Sequence, residues 1–348
     1  MSSSRVGFGL VGLGMGGETH ARELQHVPDA ELVAVYGRNE DKARAFAQRF
    51  GAKRWYSDYR QFLDDREIHV ADIVTPNGLH QDFAVPAAEA GKHVVVEKPL
   101  EISLARADAI IEACRRHRVQ LSVIYQMRFG QAARRVKQAL DAGLFGRLLL
   151  ADVYDKEYRA SSYYANDYWR GTRQYEGGGS LMTQSSHVID LLHWMAGPVE
   201  SVFAQRRTAL HRIEVEDLVV ATVTFRSGAV GVIESATCVS PAFKSRLELH
   251  GELGSAIMNG EHDELMFWEV RGSDEQIDAP PGFHFKDVSD PRLLPEIRHR
   301  LLLTDVVEAI REHRPPAVTG EEARKSLAII MAIYESAERG VKVTLPES

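Results

Sequence analysis

Gly12-Leu13-Gly14-Met15-Gly16-Gly17 follows an apolar run, Val6 to Val11, and leads into a helical pattern, the context in which a glycine-rich turn can hold a phosphate. Each glycine has a mechanical task in such a turn. One permits the tight bend, one lets backbone approach a pyrophosphate, one lets helix pack on strand, and the helix N-terminus faces the negative charge. Gly12, Gly14, Met15, Gly16 and Gly17 are therefore candidates for binding a dinucleotide. The next strand ends Val35-Tyr36-Gly37-Arg38-Asn39, and Gly37 stands 20 residues after Gly17, where a NAD site would place a ribose-binding carboxylate. Arg38 offers instead a planar fork for a 2′-phosphate, so the expected cofactor is NADP, with NAD possible. The alternative leaves Arg38 solvated and puts Glu40 or Asp41 on the ribose.

Two more clusters of polar residues stand just after strand-like runs. Thr75-Pro76-Asn77 follows Asp72 to Val74, with His80 close behind, and Glu97-Lys98-Pro99 follows Val94 to Glu97. Ligands of open α/β sheets bind at the carboxyl ends of strands, so Thr75, Asn77, His80, Glu97 and Lys98 join the cofactor-binding candidates. A lone loop lysine is ordinarily a solvated one. Lys98 is set apart by its place at a strand end and by Pro99, which holds the lysine backbone out of the α region.

The elements that must position these groups read as two domains. From Arg5 to Tyr125, β-branched runs at Val6–Val11, Leu32–Tyr36, Asp72–Val74, Val94–Glu97 and Gln120–Tyr125 alternate with helices, one capped by Asn39 and running through Phe50, one capped by Ser103 and running to His117. That alternation predicts a doubly wound parallel sheet. A helix over Gln131–Asp141 ends at Gly143, and beyond it the pattern turns to longer alternating strands. Asp217–Phe225 with Ala229–Ala236, and Arg246–His250 with Ser255–Met258, read as hairpins of a mainly antiparallel sheet, followed by helices over Pro295–Arg311 and Glu321–Arg339. The expected division is a dinucleotide-binding domain over 1–126 and a substrate-binding and oligomerisation domain over 127–348. The α+β second domain can expose one sheet face, so a homodimer or homotetramer through that sheet is expected.

Composition narrows the function classes. At 348 residues, 44% apolar and 26% charged, the chain has room for two globular cores, and no stretch approaches the roughly 20 apolar residues of a membrane span. A net charge of −7 disfavours nucleic acid, which wants a basic surface, and points to a small molecule. Cys114 and Cys238 are too few for a disulfide framework and read as small buried residues. The first residues run straight into a strand without a secretory pattern, so a cytoplasmic location is expected.

Taken in order, the Gly12 turn, Thr75-Pro76-Asn77, Glu97-Lys98-Pro99, and Gly177-Gly178-Gly179 followed by His187-Val188-Ile189-Asp190 resemble the Gfo/Idh/MocA oxidoreductase family over nearly the whole chain. The resemblance implies hydride transfer between a nicotinamide cofactor and the secondary alcohols or ketones of sugars, cyclitols or their derivatives. It makes Lys98 the active-site lysine and His187 the catalytic histidine, places Trp169-Arg170-Gly171-Thr172 near the nicotinamide, and sets Gln126 and Arg128 beside the same cleft. The family often has aspartate four residues before the histidine, where this chain has Thr183. On a continuous helix Thr183 and His187 are i and i+4 and share a face, so the hydroxyl is counted with the site, and Asp190 at i+3 could hold the ring or pair elsewhere.

Alcohol oxidation needs a base and a cation that steadies the developing alkoxide, roles that fall to His187 and Lys98. The crowded aromatics between Tyr154 and Tyr175, Tyr163 among them, suit a polyhydroxylated substrate or a neighbouring subunit equally. His193 lies about 120° around the helix from His187, so with Asp190 the two do not converge on an ion, and no metal is expected. Two other readings share these residues: transient oxidation in the service of cleavage or epimerisation, and a sensor that binds NADP without turnover.

Overall fold

Runs of Val, Ile and Leu with no polar alternation are what a strand buried on both faces requires. In a computed structural model, which describes residues 5–243, 245–272 and 296–347, such runs form one six-stranded parallel sheet. Its strands are β1 (Val6–Val11), β2 (Ala30–Tyr36), β3 (Arg54–Tyr56), β4 (Val70–Ile73), β5 (His93–Val96) and β6 (Leu121–Val123), in the order β3-β2-β1-β4-β5-β6. β1 and β4 are buried along their whole length. The connecting helices are α1 (Met15–Leu24), α2 (Glu40–Phe50), α3 (Tyr59–Asp64), α4 (His80–Glu89) and α5 (Leu104–His117). Asn39 caps α2 by accepting from the Lys42 N–H at 2.9 Å, and Ser103 caps α5. The strand order reverses between β1 and β4, and the turns after these two strands open a crevice at the carboxyl edge of the sheet.

From Met127 the chain builds a second unit. It comprises α6 (Gln131–Asp141), β7 (Leu148–Lys156), the short α7 (Ser161–Ala165), α8 (Ser186–Ala196), β8 (Val199–Arg207), β9 (Leu218–Phe225), β10 (Val230–Ala236), β11 (Arg246–Gly251), β12 (Gly254–Asn259) and β13 (Glu264–Val270). With β14 (Val343–Thr344) the strands form an eight-stranded sheet in the order β13-β12-β11-β7-β10-β9-β8-β14. β9 with β10 and β11 with β12 are the two expected hairpins, while β7 and β10 pair in parallel, so the sheet is mixed but mainly antiparallel. α8 packs on β7 and β11, and α6 packs on α8. The other face carries Leu150, Phe203, Val220, Val230 and Phe267, each 36–50% exposed, and a shallow groove of about 400 Å³ runs over Phe203, Leu218, Val220 and Thr222.

Two helices follow, α9 (Ile297–Glu312) and α10 (Gly320–Arg339). Pro295, the expected start of the first, lies outside the described residues. In sequence Glu296–Arg324 lies far beyond 127, yet in structure it completes the first unit: α9 rests on α1, and the Val123 N–H donates to Val318 O at 3.2 Å beyond the edge of the parallel sheet. Among the described residues no helix is long and apolar enough to cross a membrane.

Candidate active site

In the first unit the chain leaves β1 at Val11 and turns at Gly12, whose φ of +113° favours glycine. A Cβ there would lie 2.2 Å from Val74 O, so the turn after β1 presses directly on the turn after β4. Gly14 begins α1 with no side-chain cap, and nothing lies within 4 Å of the place its Cβ would take. Gly16 and Gly17 sit in the first turn of α1 beside Met15, which is 47% exposed. Across the switch point, Thr75 Oγ1 is buried without a hydrogen-bond partner among the described residues. Uncapped helix N–H groups, open space over a glycine and an orphaned hydroxyl are what a dinucleotide's phosphates and ribose would occupy, so the residues present fit that cofactor. Arg38 is exposed at the end of β2.

Behind this cradle lies a buried charge. His20, fully buried on α1, has Nδ1 2.9 Å from Asp72 Oδ2 and Nε2 3.0 Å from Glu97 Oε1. Only the doubly protonated ring can donate to both carboxylates. Burial opposes that charge, but Asp72 and Glu97 overcome it and hold the His20 pKa up at about 10. Burial alone would raise the Glu97 carboxyl; the His20 hydrogen bond and charge, with His299 and Lys98 nearby, hold it down at about 2. His299 of α9, its ring centroid 5.7 Å from that of His20, is driven the other way, to about 4, by burial and by the His20 charge. Glu97 Oε2 in turn accepts the backbone N–H of Lys98 at 2.9 Å. Asp72, His20, Glu97 and the Lys98 backbone are thus one hydrogen-bonded chain, and the part Glu97 plays in it is to fix the lysine's loop.

His80, expected to touch a cofactor, lies between the two strand-end loops. Its ring is fully buried, with Nε2 3.0 Å from Thr75 O and Nδ1 3.0 Å from Pro99 O, so both nitrogens face carbonyls of the two strand-end loops. Burial holds its pKa down, so the ring stays neutral and donates to one carbonyl at a time. Asn77 is buried at the start of the Asn77–Leu79 turn, and Gln126, at the end of the unit, keeps its Oε1 buried without a partner among the described residues.

In the second unit the His187 helix does not begin as the sequence suggested. Ser180–Gln184 forms a π-turn, in which the Ser185 N–H donates to Ser180 O, and α8 starts only at Ser186. Thr183 and His187 are therefore not successive residues of one α-helical face; the wider turn sits between them. Both are half-buried. The π-turn is anchored by two buried carboxylates. Glu216 accepts the N–H groups of Gly179 and Leu181 at 3.0 and 3.1 Å, and Glu176 Oε1 accepts the Thr183 hydroxyl at 2.9 Å. Glu176 Oε2 also accepts the Gly171 N–H, tying the Trp169–Thr172 segment to the same place. Arg170 lies over the Tyr163 ring at 3.8 Å and over Trp169 at 5.1 Å, and Tyr163 accepts from Gln184 Nε2 at 3.1 Å.

Arg128, expected at the substrate, is 6% exposed and grips Asp190 with two hydrogen bonds of 2.7 Å, while the Ser326 hydroxyl donates to the same carboxylate at 2.9 Å. The fork is thus bidentate on a buried carboxylate. The same pairing settles Asp190, which holds Arg128 rather than the His187 ring.

Two family models match the chain, an oxidoreductase family with an NAD-binding Rossmann fold over residues 6–125 and the GFO/IDH/MocA C-terminal domain over residues 133–257. A levoglucosan dehydrogenase of Pseudarthrobacter phenanthrenivorans is 30% identical over 308 residues, 78% of each chain. A myo-inositol 2-dehydrogenase of Thermotoga maritima is 26% identical over 98% of each. The crystal structure of the WlbA dehydrogenase from Bordetella pertussis, in complex with NADH and UDP-GlcNAcA, superposes with a TM-score of 0.84 at 33% identity, covering 99% of this chain and 100% of that one. The chain belongs to the Gfo/Idh/MocA oxidoreductase family. It is a nicotinamide-dependent oxidoreductase with a Rossmann sheet and a mixed second sheet.

Three residues that shape this Gfo/Idh/MocA site escaped the sequence reading: His20, Asp72 and Glu176. A signal existed for the first two, since Val70-Ala71-Asp72-Ile73 puts a carboxylate inside a fully buried strand, which demands a cationic or donor partner. His20 provides stability that is complete below 6.5, its ordinary value, and drains as pH rises through about 10. Glu97's contribution is complete above 4.5 and drains as pH falls through about 2. The loss of melting temperature in His20→Gln, measured by calorimetry, is therefore greatest between about pH 4.5 and 6.5 and shrinks towards pH 10 and towards pH 2. A pH-independent loss would contradict a charged His20.

Proposed function

We propose that the protein is a dehydrogenase or reductase that moves a hydride between a nicotinamide cofactor and a secondary alcohol or ketone of a sugar, cyclitol or derivative. The observation that carries this reading is the open, uncapped turn at Gly14, facing orphaned Thr75 Oγ1, with the Lys98 loop pinned beside it by Glu97. The substrate class is supported by relatives named for levoglucosan and myo-inositol.

In this reading the Gly12–Gly17 turn and the α1 N–H groups take the pyrophosphate, and Thr75, Asn77, Trp169 and Arg170 flank the rest of the cofactor, whose nicotinamide supplies the hydride acceptor when bound. The Lys98 ammonium steadies the substrate oxygen as it gains negative charge. His187 takes the hydroxyl proton as a neutral imidazole and returns it in the reverse direction. Tyr163, Gln126 and Thr183 offer hydrogen bonds to the remaining hydroxyls. Lys98→Met keeps dinucleotide binding by calorimetry but loses about 100- to 1000-fold in kcat. His187→Asn loses about 100-fold or more and with it the rise of alcohol oxidation with pH. Turnover unchanged in either variant would remove that residue from the mechanism.

NADP is the cofactor we propose. The carboxylate that would bind a free ribose is replaced by Gly37, and exposed Arg38 stands next in line. Titration calorimetry is expected to show NADP binding more tightly than NAD, and Arg38→Ala to erase the difference; tighter NAD binding in the unaltered protein would overturn the assignment.

The exposed face of the second sheet is proposed to cover a second copy of the chain. Its apolar centre of Phe203, Val220 and Val230 is accompanied by Arg207, Lys156 and Glu234, so charges of both signs are available to a self-complementary contact. A cytoplasmic setting belongs to the same reading, in keeping with two free cysteines. Sedimentation velocity is expected to show a dimer or tetramer that Val220→Glu dissociates without loss of the folded signal in circular dichroism. A monomeric unaltered protein would dispose of this surface as an interface.

A further inference from the structure

Glu176 is 1% exposed, and its two carboxyl oxygens have different tasks. Oε2 must accept, because what faces it is the backbone N–H of Gly171, which cannot turn round. Oε1 meets the Thr183 hydroxyl at 2.9 Å, and a hydroxyl can either give or receive a proton. With Glu176 ionised, Thr183 spends its single proton on Oε1 and presents lone pairs on its accessible side. With Glu176 protonated, the proton sits on Oε1, where it has an acceptor, and is donated to Thr183 Oγ1. The Thr183 proton then turns outward. The two forms of one buried carboxyl thus give the half-buried hydroxyl opposite polarities. An alcohol offers O–H and suits the first, while a ketone offers only lone pairs and suits the second.

On the proposed reading of the protein as a sugar or cyclitol dehydrogenase, we infer that Glu176 is a positioning residue that sets the polarity of Thr183 and so tips binding between the alcohol and the ketone of the substrate pair. The groups around it allow both forms near neutrality. Burial raises the Glu176 carboxyl, opposed by the Gly171 and Thr183 hydrogen bonds and the Arg170 charge and assisted by Glu216, and the balance stands at about 7. The Tyr163 and Tyr164 hydroxyls are among its titratable surroundings and stay protonated there, their pKa values raised chiefly by burial. No proton leaves the pair in this scheme except the one Glu176 exchanges with solvent.

The test is the pH dependence of KM measured in both directions of the reaction, with kcat recorded alongside. As pH rises through about 7, KM for the alcohol is expected to fall and KM for the ketone to rise, each by about three- to tenfold, the reach of one neutral hydrogen bond. Glu176→Gln keeps an acceptor for Gly171 and points its amide N–H at Thr183, imitating the protonated acid. In that variant KM for both partners is flat with pH, the alcohol KM is raised above pH 7, and the kcat dependence belonging to His187 remains. Thr183→Val flattens KM without touching the buried carboxyl, which guards against a folding defect in Glu176→Gln, and Thr183→Ser restores the unaltered profile. A KM profile that survives Glu176→Gln or Thr183→Val overturns the inference. If the unaltered protein turns over no sugar, cyclitol or keto-sugar with either cofactor, the functional reading fails on its own. The carboxyl remains measurable then by 13C NMR, assigned through Glu176→Gln, and a midpoint near 4.5 instead of near 7 would overturn the inference separately.

Discussion

A charge sealed inside a sheet-and-helix sandwich is tolerable only when its partners are held as firmly as itself. His20 meets that condition with Asp72 on one nitrogen and Glu97 on the other. The requirement is mutual, because Asp72 lies in a strand with no exposed residue. The imidazolium therefore locks α1, β4 and the end of β5 at fixed distances from one another. Those three elements carry the glycine turn, the Thr75 loop and Lys98, and His80 lies between carbonyls of the latter two loops. The geometry of the cofactor crevice follows from electrostatic necessity several ångströms behind it.

The second unit solves its positioning problem with acids. Glu176 and Glu216 are buried carboxylates that take up backbone N–H groups left over by the glycine-rich turn and the π-turn, and Asp155 accepts the Ser185 hydroxyl at 2.5 Å where the π-turn gives way to α8. Tyr334 donates to Glu216 at 2.9 Å, which anchors the turn to α10. Arg128 and Asp190 of α8 neutralise each other. A helix entry with one residue too many per turn needs such external partners, since its own hydrogen-bond ladder is wider than the α-helical one.

What could be read from the sequence was what depends on neighbours in sequence. The strands from Val6 and Leu32 announce themselves by unbroken apolar runs, and Asn39 and Ser103 by their place before helical patterns. β7 did not, because Leu148-Leu149-Leu150 opens it with two exposed leucines and hides the alternation that follows. What the sequence hides is distance along the chain: Asp190, which pairs with Arg128, stands 62 residues away, and one of the carbonyls facing His80 belongs to Pro99. The π-turn leaves no mark, since Ser180 to Ala196 has helical periodicity whether or not one residue bulges.

The unit that carries the cofactor crevice is discontinuous along the chain, and this bears on how the protein is made. Its parallel sheet ends at β6, but Val318 and Thr319, which bond to that strand, and His299, which packs against His20, are synthesised only after seven of the eight strands of the second sheet. A nascent chain leaving the ribosome holds the glycine turn long before it holds the helix that rests on α1. Until α9 arrives, the outer surface of α1 stays wet and His20 lacks the neighbour that helps close off its charge. The first unit is thus complete only once the Glu296–Arg324 segment has been made, so that a shorter nascent chain carrying the nucleotide motif is not yet a finished nucleotide site.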